Sequence, residues 1–239
     1  IPQSVTLIGD LAFADCESLL TISIPRNVTR LVVAPPFQGC ASLQAIEVEA
    51  GNTVLKSIDG VLFNVAGTLV RRYPSARTGT NYEIPDTVIA IQQLIFSQSR
   101  NLESVHIPST VTFIDRDAFS GSSRLSEINF SGNKPETVLE DAFLNIAPDA
   151  QVTAGTFASG FEATLSGLQV RRLGQLRFKD DNVLVEIDPE LGETPSLWHS
   201  TDLQEWSLVE DATREGNVFT LPTTAPRLIG THSFFKVLP

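Results

Sequence analysis

The stretch "IPSTVTFIDRDAFSGSSRLSEINF", Ile107 to Phe130, carries apolar residues at intervals that fit neither a helix nor a strand. Counting from Ile107, they fall at Val111, Ile114, Phe119, Leu125, Ile128 and Phe130, offsets of 4, 7, 12, 18, 21 and 23. An amphipathic helix would bring an apolar residue every third or fourth position, and a half-buried strand every second one. The same offsets taken from Ile84 give Val88, Ile91, Phe96, Leu102, Val105 and Ile107. From Ile1 they give Val5, Ile8, Phe13, Leu19, Ile22 and Ile24. A diverged copy runs from Ile24 through Val28, Leu31, Phe37, Leu43 and Ile46 to Val48, one residue longer because of "APPF". Another runs from Phe130 through Phe143 to Val152.

Self-similarity at a fixed period marks a stacked repeat architecture. Each unit holds a short alternating piece such as "VHIP" or "TISIP", in which two inward residues flank one outward residue. Proline ends that piece, a second extended piece such as "VTFI" or "VTLI" follows, and "DAFSG" or "LAFADC" then makes a tight turn. A period of 23 is too short for a pair of helices, so the unit is one coil of a β-rich solenoid. A lone coil cannot bury its apolar side, whereas stacked coils share a continuous core. Stacking sets equivalent residues about 4.8 Å apart. Phe13, Phe37, Phe96, Phe119 and Phe143 are therefore expected to form a ladder of rings.

Acids outnumber bases by 28 to 17, for a net charge of -11. That balance argues against a nucleic-acid partner, because phosphate backbones need a basic surface. No apolar run approaches the roughly 20 residues that cross a bilayer, so no membrane insertion is expected. The chain opens with "IPQSV" at a repeat boundary and contains no methionine. These features predict a piece of a longer protein, whose first coil has apolar edges for an upstream repeat or a neighbouring molecule to cover.

Little in the chain suggests reaction chemistry. His106, His199 and His232 fall in different elements without a Cys or His neighbour, and Cys16 and Cys40 lack metal-ligand spacing, so neither metal nor cofactor is expected. There is no G-x-S-x-G elbow, no phosphate-cradling glycine loop and no Cys/His pair with an orienting partner. Asp115, Asp117, Asp180 and Asp181 fall in predicted turns, where acids cap backbone amides or stay solvated. Asp59-Gly60 reads as a turn into the strand "VLF". Asn27 and Asn129 open glycosylation tripeptides, to which no function is assigned. Arg71 and Arg72 are expected to pair with Glu47 or Glu83 rather than to bind an acidic partner.

Cys16 and Cys40 each stand three residues after a phenylalanine in adjacent coils. Stacking could bring their Cα atoms within the roughly 4.4 to 6.8 Å span of a disulfide. A buried thiol pair filling a small core position is the preferred reading.

The residues that alternate outward on the long strands form two columns. Thr21, Ala45, Ser104 and Glu127 make one, and Ser23, Glu47, Glu83, His106 and Asn129 the other. Repeat proteins commonly bind ligands on such a surface. A solvated sheet kept polar against aggregation explains the same residues, and no aromatic anchor stands among them.

From Gly174 the period stops. "QLRF", "VLVEI", "SLWHS", "WSLVE", "VFTLP" and "SFFKVL" are short strand-like runs between turn signals such as "KDDN" and "DATREGN". They predict a small antiparallel β-sandwich over residues 174–239.

"IPQSVTLIGDLAFADCESLLTISIP" resembles the leucine-rich repeat of the BspA type, found in bacterial and some protist surface proteins. "SIDGVLFNVAGTLVRRYPSARTGTNYEIP", residues 57–85, is similar to the hairpin-bearing variant repeat of that family. "AQVTAGTFASGFEATL" resembles its closing cap, placed at residues 150–172, where a last strand runs into a short helix. The solenoid domain would then span residues 1–173. Serine replaces cysteine after Phe96 and Phe119, and the last repeat is irregular. "LWHSTDLQEW" with the terminal "FFKV" is similar to small β-domains that close secreted proteins of planctomycete and verrucomicrobial bacteria. The resemblance implies an extracellular or cell-surface protein. Its expected role is a non-catalytic recognition or adhesion module that binds a protein or glycan on a cell surface or matrix. The alternative is a structural subunit that assembles with copies of itself into a fibre or surface layer.

Overall fold

The computed structural model describes residues 1–31, 36–154 and 158–172, and within 174–238 the backbone of the strands given below. The first two coils contribute β1 (Leu7–Ile8), β2 (Thr21–Ile24), β3 (Arg30–Leu31) and β4 (Ala45–Val48). Next come the hairpin strands β5 (Leu55–Ile58), β6 (Val61–Asn64) and β7 (Val70–Arg72), then β8 (Asn81–Glu83). Regular coils resume with β9 (Ala90–Ile91), β10 (Ser104–Ile107), β11 (Phe113–Ile114), β12 (Glu127–Phe130), β13 (Thr137–Val138) and β14 (Gln151–Ala154). β15 (Thr164–Leu165) and β16 (Leu168–Arg172) follow as an antiparallel pair.

The chain is mainly β, a solenoid of about six turns. Long strands pair in parallel as β2 with β4, and as β8, β10, β12 and β14, with β16 and β15 extending the second sheet. Short strands pair in parallel as β1 with β3, and as β9, β11 and β13. Val105 faces Tyr82 on one side and Ile128 on the other, each 23 residues away along the chain. Inward residues Ile24, Ile46, Val105, Ile107, Ile128 and Val152 are fully buried. The I-P-x-x-V pattern also has a local cause. Proline cannot donate to the ladder and so ends the strand. Its carbonyl then accepts the amide of the valine three residues on, Val28, Val88 and Val111, at 2.9 to 3.1 Å. That bond closes a β-turn and aims the valine back into the core.

The ring ladder forms in two runs. Phe13 stacks on Phe37 at 5.5 Å between centroids, while Phe96, Phe119 and Phe143 stack at 4.9 and 5.0 Å with planes 12 to 14° apart. The expected five-ring ladder is corrected at its middle, where Tyr73 sits against Phe96 at 5.1 Å. Tyr73 precedes Ile84 by 11 residues, the same interval as from Phe96 to Ile107, so it is the ring of the coil that carries the hairpin.

Three residues beyond Phe13, Phe37, Phe96 and Phe119 stands a cysteine or a serine. Cys40 donates from Sγ to the Phe13 carbonyl at 2.9 Å, and Ser122 donates from Oγ to the Phe96 carbonyl at 2.8 Å. Each bond ties one coil to the coil before it, which explains why serine replaces cysteine there without loss. Two residues beyond each regular ring the backbone turns left-handed, at Asp15, Gly39, Gln98, Gly121 and Asn145, with φ between 55 and 73°.

The hairpin is an insertion that interrupts the long-strand sheet. Its Asp59-Gly60 turn lies beside β4, and Ile46 donates its amide to the Gly60 carbonyl at 2.8 Å. Gly60 has φ +76°, and a Cβ there would meet the Ala45 Cβ at 3.0 Å, so glycine is required twice over. Asn52 staples the hairpin root to the preceding coil. Its side-chain amide donates to the Pro25 and Val28 carbonyls, and its oxygen accepts from the Val54 and Leu55 amides.

The expected pairing of Arg72 with Glu47 or Glu83 does not occur. Arg72 is 1% exposed and donates to the Leu94 carbonyl at 2.7 Å, to Ser75 Oγ at 3.1 Å and to Ser97 Oγ at 3.4 Å. Burial lowers its pKa from the ordinary value to about 10. Alternation along β7 turns Val70 and Arg72 inward together, which removes Arg72 from the acids of the outer face. Arg71, between them, makes no ion pair with either glutamate among the described residues.

Beyond β14, residues 155–157, on which the expected strand-to-helix cap partly falls, lie outside the described residues, and β15 with β16 follow. The chain divides into two compact units, Ile1–Thr153 with Gly160–Val170, and Ala154–Ser159 with Arg171–Pro239. In the second unit β17 (Gly174–Lys179), β18 (Asn182–Ile187), β19 (Ser196–Ser200), β20 (Ser207–Leu208), β21 (Thr213–Glu215), β22 (Val218–Pro222) and β23 (Phe234–Leu238) are defined. They form two antiparallel sheets, ordered β17-β18-β22-β21 and β20-β19-β23. β21 falls in "DATREGN", where a turn is expected from the sequence. Asp180, Asp181 and His232 lie outside the described residues.

The ladder predicts a graded response to ring removal. Phe119 is fully buried with a ring stacked on each side, so Phe119→Ala should cost about 3 to 5 kcal/mol. Phe13 is half-buried with one ring partner, and Phe13→Ala should cost clearly less. Urea unfolding of the three proteins, with equal slopes, checks the order.

Candidate recognition face

The outward positions of the long strands come together in register as two groups. In the larger group Asn81, Ser104 and Glu127 form one row, and Glu83, His106 and Asn129 the next. Gln151 and Thr153 continue the alternation on β14. In the smaller group Thr21 pairs with Ala45 and Ser23 with Glu47. The hairpin turn separates them, so the expected continuous face is corrected to two patches. Thr21, Ser23, Glu47, Glu83, His106 and Glu127 are exposed, whereas Ala45, Ser104 and Asn129 are half-buried. Asn81, Gln151 and Thr153 were missed, although the same alternation about Tyr82 and Val152 points to them.

Bonds across neighbouring strands hold parts of the face in place. Asn129 donates from Nδ2 to Ser104 Oγ at 3.2 Å, His106 Nε2 is hydrogen-bonded to Ser131 Oγ, and Arg124 pairs with Glu103 at the strand ends. The His106–Ser131 contact is the arrangement that comes nearest to a nucleophile and base. No carboxylate is hydrogen-bonded to either ring nitrogen among the described residues, so the relay that would orient and activate such a pair is missing from the geometry. What the surface offers is hydroxyls, amides, carboxylates and one imidazole on a rigid parallel sheet. That is a set suited to hydrogen-bonded recognition.

The remaining candidates have local structural roles. Asp115 accepts the Arg116 amide, and Asp117 takes a left-handed turn position. Asn27 donates to the Gln3 carbonyl. Among the described residues no group of three or more His, Cys, Asp or Glu converges as a metal site, and no helix is long and apolar enough to cross a membrane.

Cys16 and Cys40 are both free, and the buried thiol pair is corrected: Cys40 is buried, but Cys16 is exposed. Cys40 has a preceding ring carbonyl to donate to, that of Phe13. Cys16 lies in the first of the described coils, and its thiol makes no side-chain hydrogen bond among the described residues. Burial raises the Cys40 thiol above its ordinary pKa.

A model of the BspA type leucine rich repeat region matches six copies over residues 1–68 and 75–154. The chain belongs to this family of repeat proteins. No curated protein matches it. A leucine rich cell surface protein from Faecalibacterium prausnitzii has a similar fold, with a TM-score of 0.51 at 22% identity over 73% of this chain and 59% of that one. A leucine-rich repeat protein from Eubacterium ventriosum gives 0.48 at 22% identity over 65% of this chain and 47% of that one. Pneumococcal vaccine antigen PcpA gives 0.34 at 16% identity over 64% and 55%. The chain thus spans about half the length of these neighbours.

Unequal exposure predicts unequal thiol reactivity. In the folded chain one cysteine, Cys16, should react promptly with a thiol reagent, and Cys40 should react only on unfolding. Mass spectrometry of the labelled peptides distinguishes the two.

Proposed function

We propose that the chain is a non-catalytic recognition module of the cell surface or extracellular space, binding a protein or a glycan through the outward rows of its long strands. The observation that carries this reading is the in-register array of hydrogen-bonding side chains, Asn81–Ser104–Glu127 beside Glu83–His106–Asn129, on a sheet whose other face is core, with Asn81, Glu83, His106 and Glu127 exposed. Rows repeating at about 4.8 Å present many small donors and acceptors without side-chain reorganisation. Membership of a repeat family and a similar fold in a cell-surface protein support the placement. Residues 174–239 are read as a small β-sandwich domain of their own.

The test is a binding screen of the whole chain against matrix proteins and glycans, repeated with a Glu83→Ala, His106→Ala and Glu127→Ala triple variant. Each ligand found should bind the variant at least about tenfold more weakly, equivalent to 1.4 kcal/mol, with an unchanged unfolding midpoint. Equal binding by the variant would place recognition elsewhere.

A second reading, end-to-end assembly into a fibre or layer, has its own observation. A hollow of about 540 Å³ opens on the first coil, lined by Ile1, Val5, Leu7, Ile8, Phe13 and Ile22 among others. Leu7, Leu11 and Leu20 are 44 to 55% exposed nearby in sequence. A coil stacked there, of an upstream repeat or of another copy, would bury this apolar surface, and where it is another copy the head-to-tail contacts grow open filaments. Light scattering over a concentration series would then show mass rising with concentration, reversed by Leu7→Lys. A constant mass near 26.0 kDa removes this reading.

A further inference from the structure

Arg30 and Arg71 are about forty residues apart in the chain, yet both line one groove of about 310 Å³ between β3 and the hairpin. Thr29, Leu31, Leu55 and Asn64 also line it, and none of its lining residues is acidic. Neither guanidinium makes a hydrogen bond or ion pair with any described residue. Other arginines find acceptors: Arg26 pairs with Glu49, Arg124 with Glu103, Arg77 donates to the Asp59 carbonyl, and Arg72 to a carbonyl and two hydroxyls. Arg71 is half-buried. It is the one described arginine that combines partial burial with the lack of any acceptor.

The rest of the groove offers no internal answer to this charge. The Asn64 amide is already committed, donating to Thr68 Oγ1 at 2.9 Å and accepting from the Leu69 amide at 3.0 Å. Leu55 is buried and Leu31 and Val54 are half-buried, so the floor is apolar. An apolar wall lowers the local dielectric and strengthens attraction to any counter-charge. Burial accordingly holds the Arg71 pKa below its ordinary value. Both cations line one groove of a chain whose net charge is -11, so an anion placed there would meet both. Guanidinium forks match carboxylate and sulfate oxygens two at a time. The volume is at the small end of ligand pockets, enough for one charged group and its immediate substituents.

We propose that this groove is a binding site for a small oxyanion group, a carboxylate or a sulfate, held by Arg30 and Arg71. The site lies on the short-strand and hairpin side of the solenoid. It does not depend on the recognition reading of the long-strand face.

The experiment uses the whole chain, labelled with nitrogen-15, and follows arginine side-chain Nε–Hε signals during titration with sodium sulfate and, separately, sodium acetate. Sodium chloride keeps ionic strength constant. Two arginine signals should shift saturably with at least one anion, and the spectra of Arg30→Gln and Arg71→Gln identify which two they are. Each substitution should weaken the remaining response at least tenfold. The stronger of the two anions identifies the oxyanion class. Arg30 is exposed, so Arg30→Gln tests the site even if Arg71→Gln perturbs folding. Unsaturated shifts shared with Arg100 and Arg116, or an affinity unchanged in Arg30→Gln, would overturn the proposal.

Discussion

Parallel stacking of each coil on the previous one is the constraint from which the rest of the structure follows. It places each residue of a regular coil beside its equivalent 23 or 24 positions away, so a residue type that suits one coil must suit its neighbours. Rings answer to rings at about 5 Å, a separation suited to offset stacking. Small donors answer to carbonyls. The coil-to-coil bonds from Cys40 and Ser122 show that either a thiol or a hydroxyl can make this contact.

The hairpin is where this regularity is broken, and it concentrates the unusual chemistry of the chain. It separates the long strands into two sheets, replaces a phenylalanine rung by Tyr73, and carries one arginine into the core and another into a groove. Arg72 is retained there because three acceptors converge on it. The Tyr73 hydroxyl and Arg72 Nε are both buried without a hydrogen-bond partner. Arg77 covers the Tyr73 and Tyr82 rings at 5.8 and 5.2 Å, so this one coil sets a cation against an aromatic cluster. Regular coils elsewhere have no such features among the described residues. An insertion of this kind is where a repeat protein can acquire a site that its repeating surface does not have.

The outward face differs in character from the hairpin side. Its residues are small, polar and held in register, and they lack the aromatic anchors that concentrate binding energy in a few contacts. Recognition by such a surface would be spread over many modest hydrogen bonds, each depending on the rigidity of the sheet beneath. The same small polar side chains also suit a solvated sheet face.

By itself the sequence determined the coil, its 23-residue period, the inward residues and most of the outward columns, because strand alternation and stacking are one-dimensional rules that spacing alone can reveal. It also contained Tyr73 as a rung, at the same distance from Ile84 as Phe96 from Ile107. What only the tertiary structure decided was the behaviour of residues whose neighbours come from a different coil or from the insertion. Cys16 and Cys40 hold equivalent positions in the repeat, yet only Cys40 has a ring carbonyl in front of it. Arg71 and Arg72 are adjacent in sequence, but alternation sends them to opposite sides of β7, one among hydroxyls in the core and one beside Arg30 in a groove. A period specifies what repeats. The interruption, and the charges that it relocates, are set by packing in three dimensions.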